Sequence, residues 1–472
     1  MDPAKLAFFG VIAVGVAIGA AFVKDLRKYF LVLAIVFAPM QSGVIFYHYN
    51  GFMLMDFPML ALIALSLFAP EGKFRWSFPG IGIAIFLFLG WTLVTCFTAT
   101  NPGWAFNEWT RFLRGYLMFV CVANYANSSE RLRAVLFAVL GGFAFQALLG
   151  TYQWRYGALG LSILEEIGYS WRAAGTFEHP GVYADYLILI LPVLVRLFMF
   201  QRNVDKRYTY AYLALLAFGA GGLLGSYGRG PWLAFAGSIV LMMLYSLTQR
   251  KLRPRAKVPI FIMAIAGIAF AFQYSDTILD QFFSEDRKSS SEIRTPLNNI
   301  AVRMAQDHAA VGVGLGCYRL VSLPYARLEY DPGIGIPLYQ LAQIAHNSYL
   351  LMTCEIGAAG TLFFLFFMLC ALKMGRRALK LKSSLISNLS LGLMTGLVGF
   401  LVSILSGPNI MNHQLIIMTW LFAGWMTGMS RLKIAAPTPH ATARPDMSDL
   451  KNLQMPNGQG MIDLTRLQGT SH

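Results

Sequence analysis

The sequence predicts an all-α polytopic membrane protein, with about 12–13 transmembrane helices and a long outward loop that contains short helices. Three observations carry this reading. Of the residues, 56% are hydrophobic and 13% charged, and the mean hydropathy is +0.55. A soluble domain carries roughly 25% charged residues. Apolar runs long enough to cross ~30 Å of hydrocarbon recur along the chain. Lysine and arginine gather in alternate connectors between those runs, which is how membrane topology is encoded.

The runs fall near 5–23, 29–47, 52–70, 78–99, 112–126, 134–152, 181–200, 208–226, 231–247, 258–273, 344–372, 386–405 and 415–430. One of the shorter runs could be re-entrant, which leaves twelve or thirteen spans. The first run lacks a basic leader and a small-residue cleavage site, so it reads as a membrane helix and not a signal peptide. The connectors at 24–28, 71–76, 128–133, 201–207, 248–257 and 373–382 hold 20 of the 38 Lys and Arg residues. By the positive-inside rule these connectors face the cytoplasm, and loops 153–180 and 274–343 face outward. Residues 1–430 thus form a single transmembrane domain. The tail 431–472 has few large apolar residues and much Pro, Gly, Ser and Asn, so it is expected to be disordered and cytoplasmic.

The net charge of +15 does not point to nucleic acid, because the basic residues mark the connectors. Cys96, Cys121, Cys317, Cys354 and Cys370 show no paired spacing and read as small core residues, with neither disulfide nor metal role.

The unusual chemistry concentrates on the outward side. In "RTPLNNIAVRMAQDHAAVGVGLGCY" (294–318), Thr295 followed by Pro296 predicts a helix start. Leu297, Ile300, Ala301 and Met304 form its apolar face. Arg303 is expected to pair with Asp307 one turn on. Arg294 has no partner in register and stands beside a helix N-terminus, where free N–H groups favour an anion. A solvated loop arginine is the alternative. "GVGLG" (312–316) follows a helix, so it reads as a helix-ending turn and not a nucleotide loop.

In "GSYGRGPW" (225–232), Arg229 occupies a very short turn between two membrane helices. Such an arginine either snorkels to headgroups or has an anionic partner or a function. In "WRAAGTFEHPGVYADY" (171–186), Glu178 and His179 precede a membrane helix, and helix-start chemistry accounts for Pro180 and Gly181. Asn412 and His413 in "SGPNIMNHQ" (406–414) read as another helix entry. In "AHNSYLLMTCEIGAAG" (345–360), His346 and Asn347 stand at the outer end of a membrane helix, and Glu355 lies within it. A lone histidine there is a cap or a reacting group. Together with Arg229 and Arg294 on the same face, it suggests a site.

"GRGPW" (228–232), the stretch 294–318 and "HNSYLLMTCEIGAAG" (346–360), in this order, resemble the O-antigen ligase and polymerase superfamily. "RAAGTFEHPGVYADYL" (172–187) is also similar, although Asn is commoner in that family where Gly181 stands. Residues 297–298 depart from the bulkier residues usual there. The resemblance implies a metal-independent, cofactor-free membrane glycosyltransferase of the GT-C class in the bacterial inner membrane. It would take a glycan from undecaprenyl pyrophosphate at the periplasmic face. A ligase passes it to the lipid A core, a polymerase to another lipid-linked repeat. The family's turn arginine, loop arginine and histidine fall on Arg229, Arg294 and His346. Asn347, Glu178, His179 and Arg303 complete the candidate set as substrate-binding residues.

The residues fit that implication. A lipid pyrophosphate carries its own activation, and the chain holds no nucleotide motif and no Asp-x-Asp pair. Arginine forks suit phosphate oxygens, and a histidine can orient or deprotonate an acceptor hydroxyl. A transporter of a lipid-linked or anionic solute is the rival class. It would show broken helices in corresponding halves and an internal repeat, and no repeat is visible.

Overall fold

The computed structural model describes residues 14–16, 18–40, 43–46, 50–68, 74–157, 166–167, 170–200, 205–249, scattered positions in 261–273, then 274–283, 293–330, 336–381 and 383–432. The expected tail and most of the run 258–273 lie outside the described residues. So does the greater part of the run 5–23.

Helices dominate, as the composition requires. In chain order they are α1 (Leu26–Phe37), α2 (Asp56–Phe68), α3 (Gly82–Phe97), α4 (Pro102–Tyr125), α5 (Ser129–Tyr156), α6 (Pro180–Phe200), α7 (Lys206–Gly225) and α8 (Arg229–Thr248). There follow α9 (Ser275–Phe283), α10 (Arg294–Asp307), α11 (Tyr318–Glu329), α12 (Leu338–Leu341), α13 (Ser348–Leu379), α14 (Ser384–Ser403) and α15 (His413–Ser430). Six of them (α5, α6, α7, α8, α13 and α14) are long and apolar enough to cross a membrane. Loop 274–343 carries the short helices α9 to α12, as expected.

Two antiparallel hairpins interrupt the helical pattern. β1 (Gly43–Phe46) pairs with β2 (Asn50–Met53), and β3 (Glu166–Ile167) with β4 (Ser170–Trp171). The run 29–47 is therefore not one helix. α1 stops at Phe37, two residues before Pro39, which has no N–H with which to continue the ladder.

α6 and α14 form the central packed pair, and α4 packs against α15. Small residues let these backbones approach. A Cβ at Gly392 would lie 2.6 Å from Val193 Cα, one at Gly396 would strike the Leu189 carbonyl, and one at Gly424 would lie 2.7 Å from the Phe119 carbonyl oxygen.

Among the described residues, hydrogen bonds join connectors at each end of the bundle. At one end, Arg75 N–H donates to Asn124 Oδ1 and the Asn124 amide donates to the Arg75 carbonyl, each at 2.9 Å. At the other end, Thr100 N–H donates to the Val313 carbonyl at 2.9 Å, and Ala173 N–H to Gly225 at 2.7 Å. There too, Ser348 N–H donates to the Ile404 carbonyl at 2.9 Å.

Helix α13 breaks at Gly357, whose φ of 71° and ψ of 172° leave the helical region. A broken helix at membrane depth leaves carbonyls that must be satisfied by protein. Cys354 O accepts from Val313 N–H and Glu355 O from Gly314 N–H, and Ala358 N–H donates to Ala309 O, all at 2.9 Å. Ile356 O accepts from Trp91 Nε1 at 2.8 Å. The 312–316 turn is thus a plug seated on the break. Gly312, Gly314 and Gly316 adopt φ values of 74°, 101° and 67°.

A side chain at Gly312 would collide with the Glu355 carbonyl. Gly312→Ala should therefore lower the thermal midpoint of the detergent-solubilised protein, by a cost on the order of 1–3 kcal/mol. Gly237→Ala, where a Cβ meets nothing within 4 Å, should leave it unchanged.

Candidate active site

The site is assembled at the end of the bundle where the plug sits. Arg229 is the first residue of α8 and follows a tight turn. Tyr227 in that turn holds a φ of 51°, and Ser226 Oγ donates to the Leu223 carbonyl at 2.6 Å. Trp232 Nε1 donates to the same carbonyl at 2.7 Å. The loop before α6 docks on this turn through Arg172 Nε, which donates to the Ser226 carbonyl at 3.0 Å. Buried Gln153 holds that loop by accepting from Ala174 N–H at 3.1 Å and Gly175 N–H at 2.7 Å.

Arg294 opens α10, which lies against α13 with Leu297, Ile300, Ala301 and Met304 buried. The expected cap is displaced. Thr295 and Pro296 lie inside the first turn, and Ile293 in the cap position makes no side-chain hydrogen bond. Pro296 costs nothing there, because first-turn N–H groups lack helical partners. The Arg294 guanidinium is half-buried and makes no ion pair or hydrogen bond among the described residues. Burial, and then the charge of Arg229, pulls it below its ordinary value.

His346 precedes α13 and is half-buried, and its Nδ1 is shielded from solvent with no hydrogen-bond partner among the described residues. Burial, and then the Arg294 charge, holds its imidazole below the ordinary value of 6.5. The Ile344 backbone acts in the opposite direction, and His179 adds a further lowering influence. Electrostatics therefore link Arg229 to Arg294, Arg294 to His346, and His346 to His179.

His179 caps α6. Its carbonyl accepts from Val182 N–H at 3.1 Å and Tyr183 N–H at 3.2 Å, and its Nδ1 accepts from Gly181 N–H at 3.0 Å. Beneath it lies Asp185, fully buried. One carboxylate oxygen accepts from Ser403 Oγ at 2.5 Å and the other from Asn409 Nδ2 at 2.7 Å.

Sequence reasoning passed over Asp185, Ser403 and Asn409. A carboxylate within the apolar run 181–200 was the available signal, since intramembrane acids default to function. The other substrate-binding candidates divide. Asn347 is the cap of α13, its Oδ1 accepting from Tyr349 N–H at 2.9 Å and Leu350 N–H at 3.2 Å. Glu178 is exposed and makes no ion pair among the described residues. Arg303 does not pair with Asp307. Its Nη2 meets Glu329 of α11 at 2.6 Å, and Asp307 instead accepts from Tyr325 Oη at 2.8 Å. Nine residues, or roughly 13 Å of helix, separate Arg303 from Arg294.

Among the described residues, no three His, Cys, Asp or Glu side chains are grouped so as to hold a metal ion. Fold and site together define a multi-pass helical membrane protein with a cationic cluster at one end of its bundle. Residues 212–365 match the family model described as Wzy_C, O-Antigen ligase, which supports the O-antigen ligase and polymerase superfamily. Arg229, Arg294, Arg303, His346 and Asn347 fall inside the matched stretch, and Glu178, His179 and Asp185 before it. A search of curated proteins finds no match.

If Asn347 serves as a cap, Asn347→Ser should keep near-normal stability, while Asn347→Ala should cost about 1 kcal/mol. Thermal melts of the purified variants check this. A loss of function in the serine variant at normal stability would indicate substrate contact instead.

Proposed function

We propose that this protein transfers a glycan from undecaprenyl pyrophosphate to an acceptor hydroxyl, as an O-antigen ligase-type glycosyltransferase of the inner membrane working at its periplasmic face. The observation that carries the proposal is the convergence of Arg229 and Arg294, half-buried and within electrostatic reach of each other, beside His346. Two like charges at a membrane interface repel and are costly to desolvate. A pyrophosphate offers the opposite charge and oxygens that suit guanidinium forks.

In this reading the acceptor oxygen attacks the anomeric carbon while the bond from that carbon to the pyrophosphate oxygen breaks. The acceptor proton passes to neutral His346, and undecaprenyl pyrophosphate leaves with its added negative charge held by the arginines. The reaction uses no metal ion. The lipid A core is the proposed acceptor, which makes the protein a ligase and not a polymerase.

Arg294→Ala should abolish transfer in proteoliposomes supplied with a lipid-linked oligosaccharide and lipid A core, and Arg294→Lys should restore only a small part of it. A normal rate in the alanine variant at normal stability would remove the arginine from the site.

His346 must be neutral to accept a proton, so transfer falls as pH drops through its pKa. Since burial and Arg294 depress that pKa, the acid limb of kcat/KM should lie below 6.5. An acid limb above that value would argue against His346 as the base. His346→Gln should lose the limb together with most of the rate.

A further inference from the structure

The end of the bundle that carries the basic connectors, opposite the candidate site, holds a groove between α1 and α5. These helices pack against each other in the same direction. At their first turns Lys28 Nζ stands 3.9 Å from Glu130, and further along a Cβ at Gly142 would lie 3.1 Å from the Val36 carbonyl oxygen. Between those contacts a groove of about 390 Å³ lies open. Two stripes at helical spacing line it, Lys28, Val32 and Val36 from α1 and Arg133, Ala134 and Phe137 from α5.

Charge and apolar surface are sorted along its length. Lys28, Glu130 and Arg133 surround the mouth, and the lining beyond them is apolar. Val36 stands eight residues past Lys28, or roughly 12 Å along the axis, which is most of the ~15 Å of hydrocarbon in one leaflet. Phe137 is exposed and packs at a tilt on Tyr208 of α7, with ring centroids 5.7 Å apart, so an aromatic pair borders one side.

The mouth is cationic on balance. Connectors 24–28 and 128–133 hold five basic residues against Asp25 and Glu130. Asp25 is committed to capping α1, where its Oδ1 accepts from Lys28 N–H at 3.0 Å. Arg131 donates to Asn127 Oδ1 at 3.0 Å and lies over the Tyr125 ring. Arg133 makes no ion pair or hydrogen bond among the described residues. Basic pockets between membrane helices at the positive-inside face attract anionic headgroups.

We infer that the groove between α1 and α5 binds one anionic phospholipid, with its phosphate at Lys28 and Arg133 and an acyl chain along Val32, Val36 and Phe137. A helical peptide, about 10 Å across with its side chains, would rest on the rim without filling the groove, whereas a methylene chain can follow it. A zwitterionic lipid fits the apolar part equally well but brings no net charge to the mouth. The assignment is independent of the transfer reading.

The full chain in detergent, titrated with dioleoyl phosphatidylglycerol or dioleoyl phosphatidylethanolamine and followed by native mass spectrometry, should bind one phosphatidylglycerol about tenfold more tightly. Lys28→Gln combined with Arg133→Gln should remove that preference and leave phosphatidylethanolamine binding unchanged. Ala134→Phe, which fills the groove and keeps the charges, should weaken both lipids, and both variants should melt as the wild type does. Equal affinity of the wild type for the two lipids, or unchanged phosphatidylglycerol binding in either variant, would overturn the inference. A phosphatidylglycerol with a photoreactive acyl chain should label peptides containing Val36 or Phe137. Labelling confined to other helices would overturn the placement even where the affinities agree.

Discussion

The site depends on a helix that cannot continue. At Gly357 the backbone of α13 leaves the helical region, and the carbonyls released there are claimed by the 309–314 segment at the end of α10. Those hydrogen bonds fix α10 against α13 with both helices running in the same direction. Cys354 Sγ donates to the Ala301 carbonyl at 3.1 Å, while Ala309 and Ala358 pair one to two turns further on. Arg294 precedes Ala301 by seven residues, and His346 precedes Cys354 by eight. At ~1.5 Å per residue, both lie some 10–12 Å back from the shared contact. Arginine and histidine, 52 positions apart in sequence, therefore arrive side by side.

Much of this was legible in the sequence, for reasons that can be named. Hydropathy and the spacing of basic connectors marked the helices, because lipid forces the backbone to satisfy itself within each span. Arg229, Arg294 and His346 stood out as ionisable groups in constrained turns beside apolar runs. Less visible was whatever depended on partners distant in the chain. An i, i+4 argument assigned Arg303 to Asp307, but a carboxylate from α11 offered closer geometry. Asp185 is a single acid within the apolar run 181–200, and its partners Ser403 and Asn409 stand more than two hundred positions further on. The break in α13 was hidden for a related reason. "EIGAAG" reads equally as a packing stripe of small residues, and only the plug that docks there distinguishes a break from a stripe.

The same long-range closure explains how so few polar residues hold a site together at a membrane edge. Gln146 and Gln153 of α5, both fully buried, carry the loop that leads to His179 by bonding its backbone at Thr176, Ala174 and Gly175. Ser348 at the start of α13 donates to the Gly407 carbonyl at 2.7 Å and accepts from Ile410 N–H at 3.2 Å. Each joins one element of the candidate site to another through backbone. A positioned set of donors stabilises developing charge without having to reorganise when the charge appears.

On the proposed reaction, the arrangement also sets where binding energy is realised. A pyrophosphate diester bears two negative charges, whereas the departing lipid pyrophosphate gains a third as the anomeric bond breaks. Arginines cannot shed their protons to relieve mutual repulsion. Arg229 and Arg294 consequently interact more strongly with the leaving group than with the intact donor, which is the condition for accelerating the chemical step and not merely tightening substrate binding. Acid catalysis at the departing oxygen becomes unnecessary, which is consistent with a single proposed base. The same logic makes product the best ligand of the cationic end, so release of the lipid carrier, and not transfer, would limit turnover. Exit would be helped by the setting of Arg229, which opens α8, a helix that together with α7 is among the least enclosed of the long apolar helices and presents Leu233, Val240, Leu241 and Leu244 outward.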